Sequence, residues 1–339
     1  MPTKEELKML QSLPLEVKVA KTQQRIREWV THYGQEGVYV AFSGGKDSTV
    51  LLHLVRELYP DVEAVFVNTG LEYPEIKRFV KTFDNVRILY PKKTFKQVIC
   101  EYGYPVITKR ISRVLGDAQR GVKWALDYVN LTGSAEKDGK ISRYSAYRYK
   151  DLLNADFKVS NKCCDIMKKK PMHEYHKLTD KQAFTAQMAI ESEQREVTWL
   201  RFGCNMFEAK YPTSNPMSFW KEQDVLQYIK ENNIPIASVY GDICADKDGQ
   251  LVFEDCGCKL CTTGCDRTGC IFCGFGVHLE KGETRFQRLK RTHPKQYDFC
   301  INGGAYDDDG LWKPDSKGLG MGHVFDELNK LYGEGFIRY

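Results

Sequence analysis

The stretch Val38-Tyr-Val-Ala-Phe-Ser-Gly-Gly-Lys-Asp-Ser48 decides how this chain is read. Val38 to Phe42 is a short apolar run suited to a buried strand. Ser43 to Ser48 is a glycine-rich turn, and Thr49 to Leu58 continues as a helix. A strand that feeds such a turn into a helix N-terminus builds an anion site. The glycines let backbone N–H groups face the ligand, and the helix dipole adds to the attraction. Lys46 offers a charge to a phosphate, and the Ser43 and Ser48 hydroxyls offer hydrogen bonds. Asp47 beside phosphates suits a Mg²⁺ ion or the orientation of a donor. The loop is not a Walker A motif, because Gly-x4-Gly-Lys-Ser/Thr is absent.

Outward from this point the pattern repeats. Residues 63–68 and 86–90 read as strands, and 73–83 as a helix between them. Strand, helix, strand, helix, strand implies an α/β fold: a mainly parallel twisted sheet with helices on both faces. Residues 183–189 offer a late strand, and residues 4–30, 222–232 and 322–333 read as helices. Residues 93–155 read as mostly helical with an exposed loop near 132–143. Residues 242–276 are dense in Cys and Gly and show no periodicity, so metal is expected to organise them. The expected division is a helical segment 1–35, a nucleotide-binding domain 36–240 and a cysteine-rich C-terminal extension 241–339.

Bulk properties narrow the function classes. The 339 residues carry a net charge of +5, too mild for a dedicated nucleic-acid binder. No apolar run reaches membrane-spanning length, and the first residues lack a secretory apolar core, so a cytoplasmic location is expected. Twelve cysteines in such a compartment argue for metal or redox chemistry over disulfides. Seven of them lie between Cys244 and Cys273, and Cys163 and Cys164 are adjacent.

Val38–Ser48 resembles the PP-loop of the ATP pyrophosphatases, whose fold is adenine nucleotide alpha-hydrolase-like. Further segments resemble the phosphoadenosine-phosphosulfate reductase-like branch: Asn68-Thr-Gly-Leu-Glu-Tyr-Pro-Glu75, Glu191-Ser-Glu-Gln-Arg195 and Pro216-Met-Ser-Phe-Trp-Lys-Glu-Gln-Asp-Val225. The resemblance covers roughly residues 36–275. It implies that Ser43, Gly44, Gly45, Lys46, Asp47 and Ser48 cradle phosphates, with Thr69 and Gly70 near the nucleotide. It implies that Arg195 faces an anionic group of the substrate, and that Lys46, Asp47 and Arg195 are the catalytic set. Two departures stand out: Asn68 replaces an Asp, and Met188 replaces an arginine of the reductases, against a sulfonucleotide substrate.

The pair Cys163-Cys164 with a remote Cys270-Ile-Phe-Cys273 resembles the adenylylsulfate reductases, which hold a [4Fe–4S] cluster on four such thiolates. Lys168 to Lys170 would offset its charge. Two other arrangements stay open. Cys256, Cys258, Cys261 and Cys265 would make a separate Zn²⁺ or cluster site. Alternatively Cys261 and Cys265 join Cys270 and Cys273 as a zinc knuckle. Cys100, Cys204 and Cys300 read as small buried apolar residues. The reductases carry a catalytic cysteine in a C-terminal Glu-Cys-Gly-hydrophobic-His tail. Here Cys300 is the only cysteine after Cys273, and its surroundings do not match.

Among the remaining candidates, His173 and His176 read as surface histidines, with metal ligation as the alternative, and His278 and His293 flank the basic segment without a catalytic role. Arg285, Arg288, Lys290, Arg291 and Lys295 read as a solvated face, with contact to a nucleic-acid backbone as the alternative. Asp307 to Asp309 is an acidic turn without the Glu of an EF-hand. The expected function is enzymatic: ATP- and Mg²⁺-dependent adenylylation of an acceptor coupled to sulfur transfer, similar to the tRNA-thiolating and DNA-phosphorothioating members of the superfamily. That reading implies a tRNA or DNA acceptor and a sulfur-donor protein. The alternatives are a reductase of adenylylsulfate or its 3′-phosphate, and a non-catalytic nucleotide-binding module with structural zinc.

Overall fold

Pro14 makes the first departure from the sequence reading. One helix was expected over residues 4–30; the chain forms two, Lys4–Ser12 and Leu15–Tyr33. Proline cannot extend a helix that precedes it, but it starts the next one well. The computed structural model describes residues 2–137, 139–247, 250–252 and 258–339.

The chain forms two compact units. One comprises Met1–Asn68, Glu72–Tyr90 and Met172–Thr268; the other comprises Thr69–Leu71, Pro91–Pro171 and Gly269–Tyr339. They interleave along the chain, so neither coincides with one of the consecutive segments 1–35, 36–240 and 241–339.

The first unit is built on a six-stranded sheet. In spatial order its strands are Val86–Leu89, Ala64–Val67, Val38–Ala41, Gln182–Phe184, Thr213–Ser214 and Asn205–Met206. Every pairing is parallel except the last. The late strand is shorter than the expected 183–189, because Ala189–Glu191 turns into a 3₁₀ helix. Val38, Tyr39 and Val40 are all buried, although successive side chains point to opposite faces. Each face is therefore covered. On one, Tyr39 meets Tyr175 at 5.1 Å between ring centroids. On the other, Val40 lies in register with Phe184, which packs 6.3 Å from Trp29 of the helix Leu15–Tyr33. The expected α/β architecture with helices on both faces holds.

A second sheet in this unit was not expected. Ile243–Lys247, Gln250–Val252 and Lys259–Thr262 form three antiparallel strands within the segment that was assigned to metal alone. Outside this sheet, the Gln223 side-chain amide clamps Leu260, donating to its carbonyl at 2.9 Å and accepting from its N–H at 2.8 Å.

The second unit is mainly helical, as expected for residues 93–155. Its helices include Phe95–Tyr102, Lys109–Gln119, Lys123–Asn130, Arg285–Thr292, Pro294–Ile301 and Met321–Tyr332. Phe286, Leu289, Val324, Phe325 and Leu328 are fully buried and form its core. A short parallel pair joins Val106–Ile107 to Gly274–Phe275, and Tyr104 donates its hydroxyl to Leu319 O at 2.9 Å.

Candidate functional sites

The glycine-rich turn has the geometry its sequence demands. Gly44 sits at φ +72°, and a Cβ there would lie 2.8 Å from Val80 Cγ2 and 2.9 Å from Ile76 Cγ2. Only glycine fits. Gly45 caps the helix Lys46–Leu58 with no side-chain acceptor of its own. The turn is braced from inside: Ser43 and Ser48 hydroxyls lie 3.0 Å apart, Ser43 N–H donates to Ser48 Oγ, and Ser48 Oγ donates to Gly45 O.

A cationic group surrounds this turn. Lys46 is only 5% exposed, its Nζ lies 3.5 Å from Glu222 Oε1, and it sits 5.3 Å above the Tyr240 ring. The Tyr240 hydroxyl accepts weakly from the Lys46 N–H at 3.4 Å and bonds to Thr268 Oγ1 at 2.6 Å. Arg195 starts the helix Glu193–Phe202, which Ser192 caps. Arg195 pairs with Glu191, and Arg267 reaches the same carboxylate at 3.5 Å. Burial pushes the Asp47 carboxyl up, and Lys46, Arg267 and Arg195 act against that shift. Burial likewise lowers the Arg195 guanidinium, with Arg267 adding to the effect. Three cations within electrostatic reach of one helix N-terminus are suited to a polyanion such as a nucleotide phosphate chain.

The sequence reading named Lys46, Asp47 and Arg195 but missed Glu222, Tyr240, Arg267 and Thr268. Glu222 lay inside a quoted motif without a role, and Arg267 was hidden among cysteines. Thr69 and Gly70 belong to the other unit, where Thr69 Oγ1 accepts from Leu71 N–H at 3.1 Å and Gly70 adopts φ +78°. Met188 is buried, and its N–H donates to Glu191 Oε2 at 3.0 Å.

The second unit brings Cys163, Cys164, Cys270 and Cys273 to one pocket, lined also by Leu71, Phe95, Pro105, Met167 and Lys168. Cys163 and Cys164 end a short helical turn that passes into a π-helical turn, Asp165–Lys169. Such turns recur at functional sites, because they re-aim neighbouring side chains. Cys270 and Cys273 share a tight turn closed by Cys273 N–H to Cys270 O at 3.1 Å. Ile271 N–H ties that turn to Leu71 O at 2.8 Å. The adjacent thiols share a proton: the hydrogen bond between them raises Cys163 and lowers Cys164, and Lys109 and Lys168 further favour the Cys164 thiolate.

Among the described residues no group of three or more His, Cys, Asp or Glu is placed to hold a single metal ion. A tetrahedral zinc would need its sulfurs about 3.8 Å apart, given Zn–S bonds of ~2.3 Å. A cubane binds each thiolate to a different iron and holds them farther apart. Cys163, Cys164, Cys270 and Cys273 thus share one pocket without forming a close single-ion site.

The alternative site resolves differently. Cys256 lies outside the described residues, and Cys258 is disulfide-bonded, against the expectation of free thiols throughout. Cys265 is buried. Cys261 instead faces Cys244, its register partner on the neighbouring strand, with 3.2 Å between sulfurs. Cys244 had no role in the sequence reading. Cys300 is fully buried, and burial pushes its thiol well above the ordinary range, so it is a poor nucleophile. Cys204 is buried and accepts from Ser218 Oγ, while Cys100 is half-buried with its thiol raised by burial.

The other candidates are structural. His173 and His176 pack on Tyr211, and His278 stacks on Phe336. His293 bonds Thr292. Arg285 pairs with Glu280, and Arg288 and Arg291 with Glu283, so much of that basic segment is internally neutralised. Asp307 accepts from the Leu311 and Asp309 N–H groups and shapes a hairpin turn. No helix among the described residues is long and apolar enough to cross a membrane.

Comparison with known proteins adds the family. A model of the phosphoadenosine phosphosulfate reductase domain matches residues 37–106 and 120–273, more than half the chain. An uncharacterized protein of Methanocaldococcus jannaschii is 23% identical over 292 residues, 81% of this chain and 45% of that protein. An adenosine 5′-phosphosulfate reductase of Geobacillus kaustophilus is 35% identical over 77 residues, 21% of this chain and 32% of that protein. The chain spans less than half the length of these curated relatives. A crystal structure of phosphoadenylyl-sulfate reductase from Candida auris superposes with a TM-score of 0.38 at 15% identity, covering 70% of this chain and 91% of that one.

Proposed function

Because the chain belongs to the phosphoadenosine phosphosulfate reductase domain family, whose members carry out sulfur-related nucleotide chemistry, we propose that it adenylylates an acceptor with ATP and supports sulfur transfer to it. The observation that carries this reading is the cationic set of Lys46, Arg195 and Arg267 about the Ser43–Ser48 turn. In the proposed step an acceptor oxygen attacks the α-phosphorus. A new P–O bond forms, the α–β bridge breaks, and pyrophosphate leaves. The turn N–H groups and Lys46 take up the leaving charge as preorganised donors. Asp47 would hold Mg²⁺, which would neutralise further charge. A sulfur nucleophile then attacks the acceptor carbon or phosphorus and AMP departs with the oxygen.

Cys163, Cys164, Cys270 and Cys273 would hold an iron–sulfur cluster, which supplies a redox-active sulfur-rich centre when bound. Reduction of adenylylsulfate is the weaker reading, because Cys300 is fully buried and burial disfavours its thiolate.

Binding, turnover and metal content test the proposal. Calorimetry with ATP and Mg²⁺ should show binding, and α-labelled ATP should yield AMP when single-stranded RNA or DNA and inorganic sulfide are present. Sulfite release from adenylylsulfate with thioredoxin, without AMP formation from ATP, would favour the reductase. Anaerobically purified protein should carry about four irons and four acid-labile sulfides per chain, lost in Cys163→Ala. Zinc alone, unchanged by that substitution, would refute the cluster and leave a zinc-stabilised nucleotide-binding module.

A further inference from the structure

The positive charge of this chain is concentrated in one place. Residues 108–150 hold ten lysines and arginines against four acids, a net +6, while the whole chain carries +5. The remainder is therefore slightly acidic. Lys109, Arg110, Arg113, Arg120, Lys123, Arg143, Arg148 and Lys150 are all exposed. Of the four acids, Asp127 is occupied by Ser134 and Thr132, and Asp117 by Arg120 and, at 3.9 Å, by Arg113.

These cations alternate with aromatic rings. Arg113 lies 5.4 Å from the Trp124 ring, and Arg110, one helical turn away, lies 5.4 Å from the Tyr144 ring. Arg143 covers the same ring at 4.8 Å, and Lys150 sits 4.6 Å from Tyr147. Tyr144 and Tyr147 are each 45% exposed. Exposed aromatic rings interleaved with cations are the surface on which unpaired bases stack. All of this lies within the second unit.

We infer that this strip binds single-stranded nucleic acid, with Arg110, Arg113 and Arg143 on phosphates and Tyr144 and Tyr147 stacked on unpaired bases. Charge complementarity selects a polyanion, and exposed aromatic faces select one whose bases are free to stack. A duplex satisfies the first requirement and not the second. The inference names the acceptor class for the proposed sulfur chemistry, but binding itself needs no ATP.

The test is fluorescence anisotropy without nucleotide, using labelled single strands of RNA and DNA of about 20 nucleotides, a duplex of the same sequence, and heparin as competitor. The single strands should bind, and one of the two more tightly, which identifies the natural chemistry. Tyr144→Ala with Tyr147→Ala should raise Kd at least about tenfold. Arg110→Gln with Arg143→Gln should flatten the logarithmic salt slope by about 1.5. Arg291→Gln, in the ion-paired helix Arg285–Thr292, should change neither. Absence of binding near physiological salt would overturn the inference. So would tyrosine variants that bind like the parent, or a duplex and heparin that bind as tightly as the single strands. These surface substitutions should leave ATP binding intact, so failure here is separable from failure of the ATP reading.

Discussion

Glu222 offers the sharpest test of the nucleotide turn, because its replacement should improve binding. Its carboxylate holds Lys46 at 3.5 Å, yet the Glu222 side chain is 42% exposed while Lys46 is buried. At that exposure the pair is worth about 1 kcal/mol or less. A phosphate chain must take Lys46 from this partner and then lie beside a carboxylate of like charge. Glu222→Gln removes both obstacles and should tighten ATP about three- to tenfold. Lys46→Met removes a charge-assisted hydrogen bond worth about 1.5–3 kcal/mol, and should weaken ATP about 10- to 150-fold. Only the part of the gain that comes from releasing Lys46 is lost when Lys46 is absent, so the double variant should bind ATP slightly more tightly than Lys46→Met, with a coupling energy of about 1 kcal/mol or less. Calorimetric titration of the four proteins at fixed salt and Mg²⁺ measures the cycle. Weaker binding in Glu222→Gln would refute the argument and place Glu222 among the groups that hold the ligand or its metal.

Further expectations follow from the same unit. Burial raises the Asp47 carboxyl above its ordinary 3.8. The folded state then binds that proton more tightly than the unfolded chain, so its stabilising contribution exists below 3.8 and is lost as pH rises through the folded value. Asp47→Asn should therefore raise Tm near neutral pH, with a gain that shrinks toward about pH 4 in thermal scans of metal-free protein. Gly44→Ala places a left-handed alanine against Ile76 and Val80. It should lower Tm by about 3–8 °C and abolish ATP binding, whereas Gly45→Ala, with its nearest contact at 3.2 Å, should cost less. Oxidised glutathione should close Cys244 and Cys261 into a disulfide, releasing two reduced glutathiones. Intact mass should fall by two hydrogens, and Cys244→Ser should prevent the change; stoichiometric zinc lost in that variant would instead make the pair a metal site.

What the residues revealed and what they hid divides along physical lines. The strand, turn and helix of Val38–Leu58 were legible because local rules act together there: a buried run, glycines at a turn, a helix start. The break at Pro14 was also local and should have been read. The three-stranded sheet around Ile243–Thr262 was not, because cysteine and glycine disrupt the apolar alternation that marks a strand. Its register, which sets Cys244 against Cys261, depends on pairing that no local pattern records. Arg267 and Tyr240 join the nucleotide turn from more than 190 residues away along the chain, a tertiary fact. The Cys163, Cys164, Cys270 and Cys273 grouping came from resemblance, and the pocket brings the same four together.

The strand order has a consequence for how the protein is made. The central strand Val38–Ala41 leaves the ribosome early, yet its neighbour Gln182–Phe184 and then Thr213–Ser214 come much later. Between them the chain must produce Pro91–Pro171, most of which waits for Gly269–Tyr339 to finish its own unit. A nascent chain therefore exposes an open sheet edge and a half-built helical unit at the same time, the condition under which chains misassociate. The four-cysteine pocket inherits this delay: Cys163 and Cys164 are translated long before Cys270 and Cys273 exist to join them. Loading of anything that needs all four thiols must therefore follow translation of Cys273.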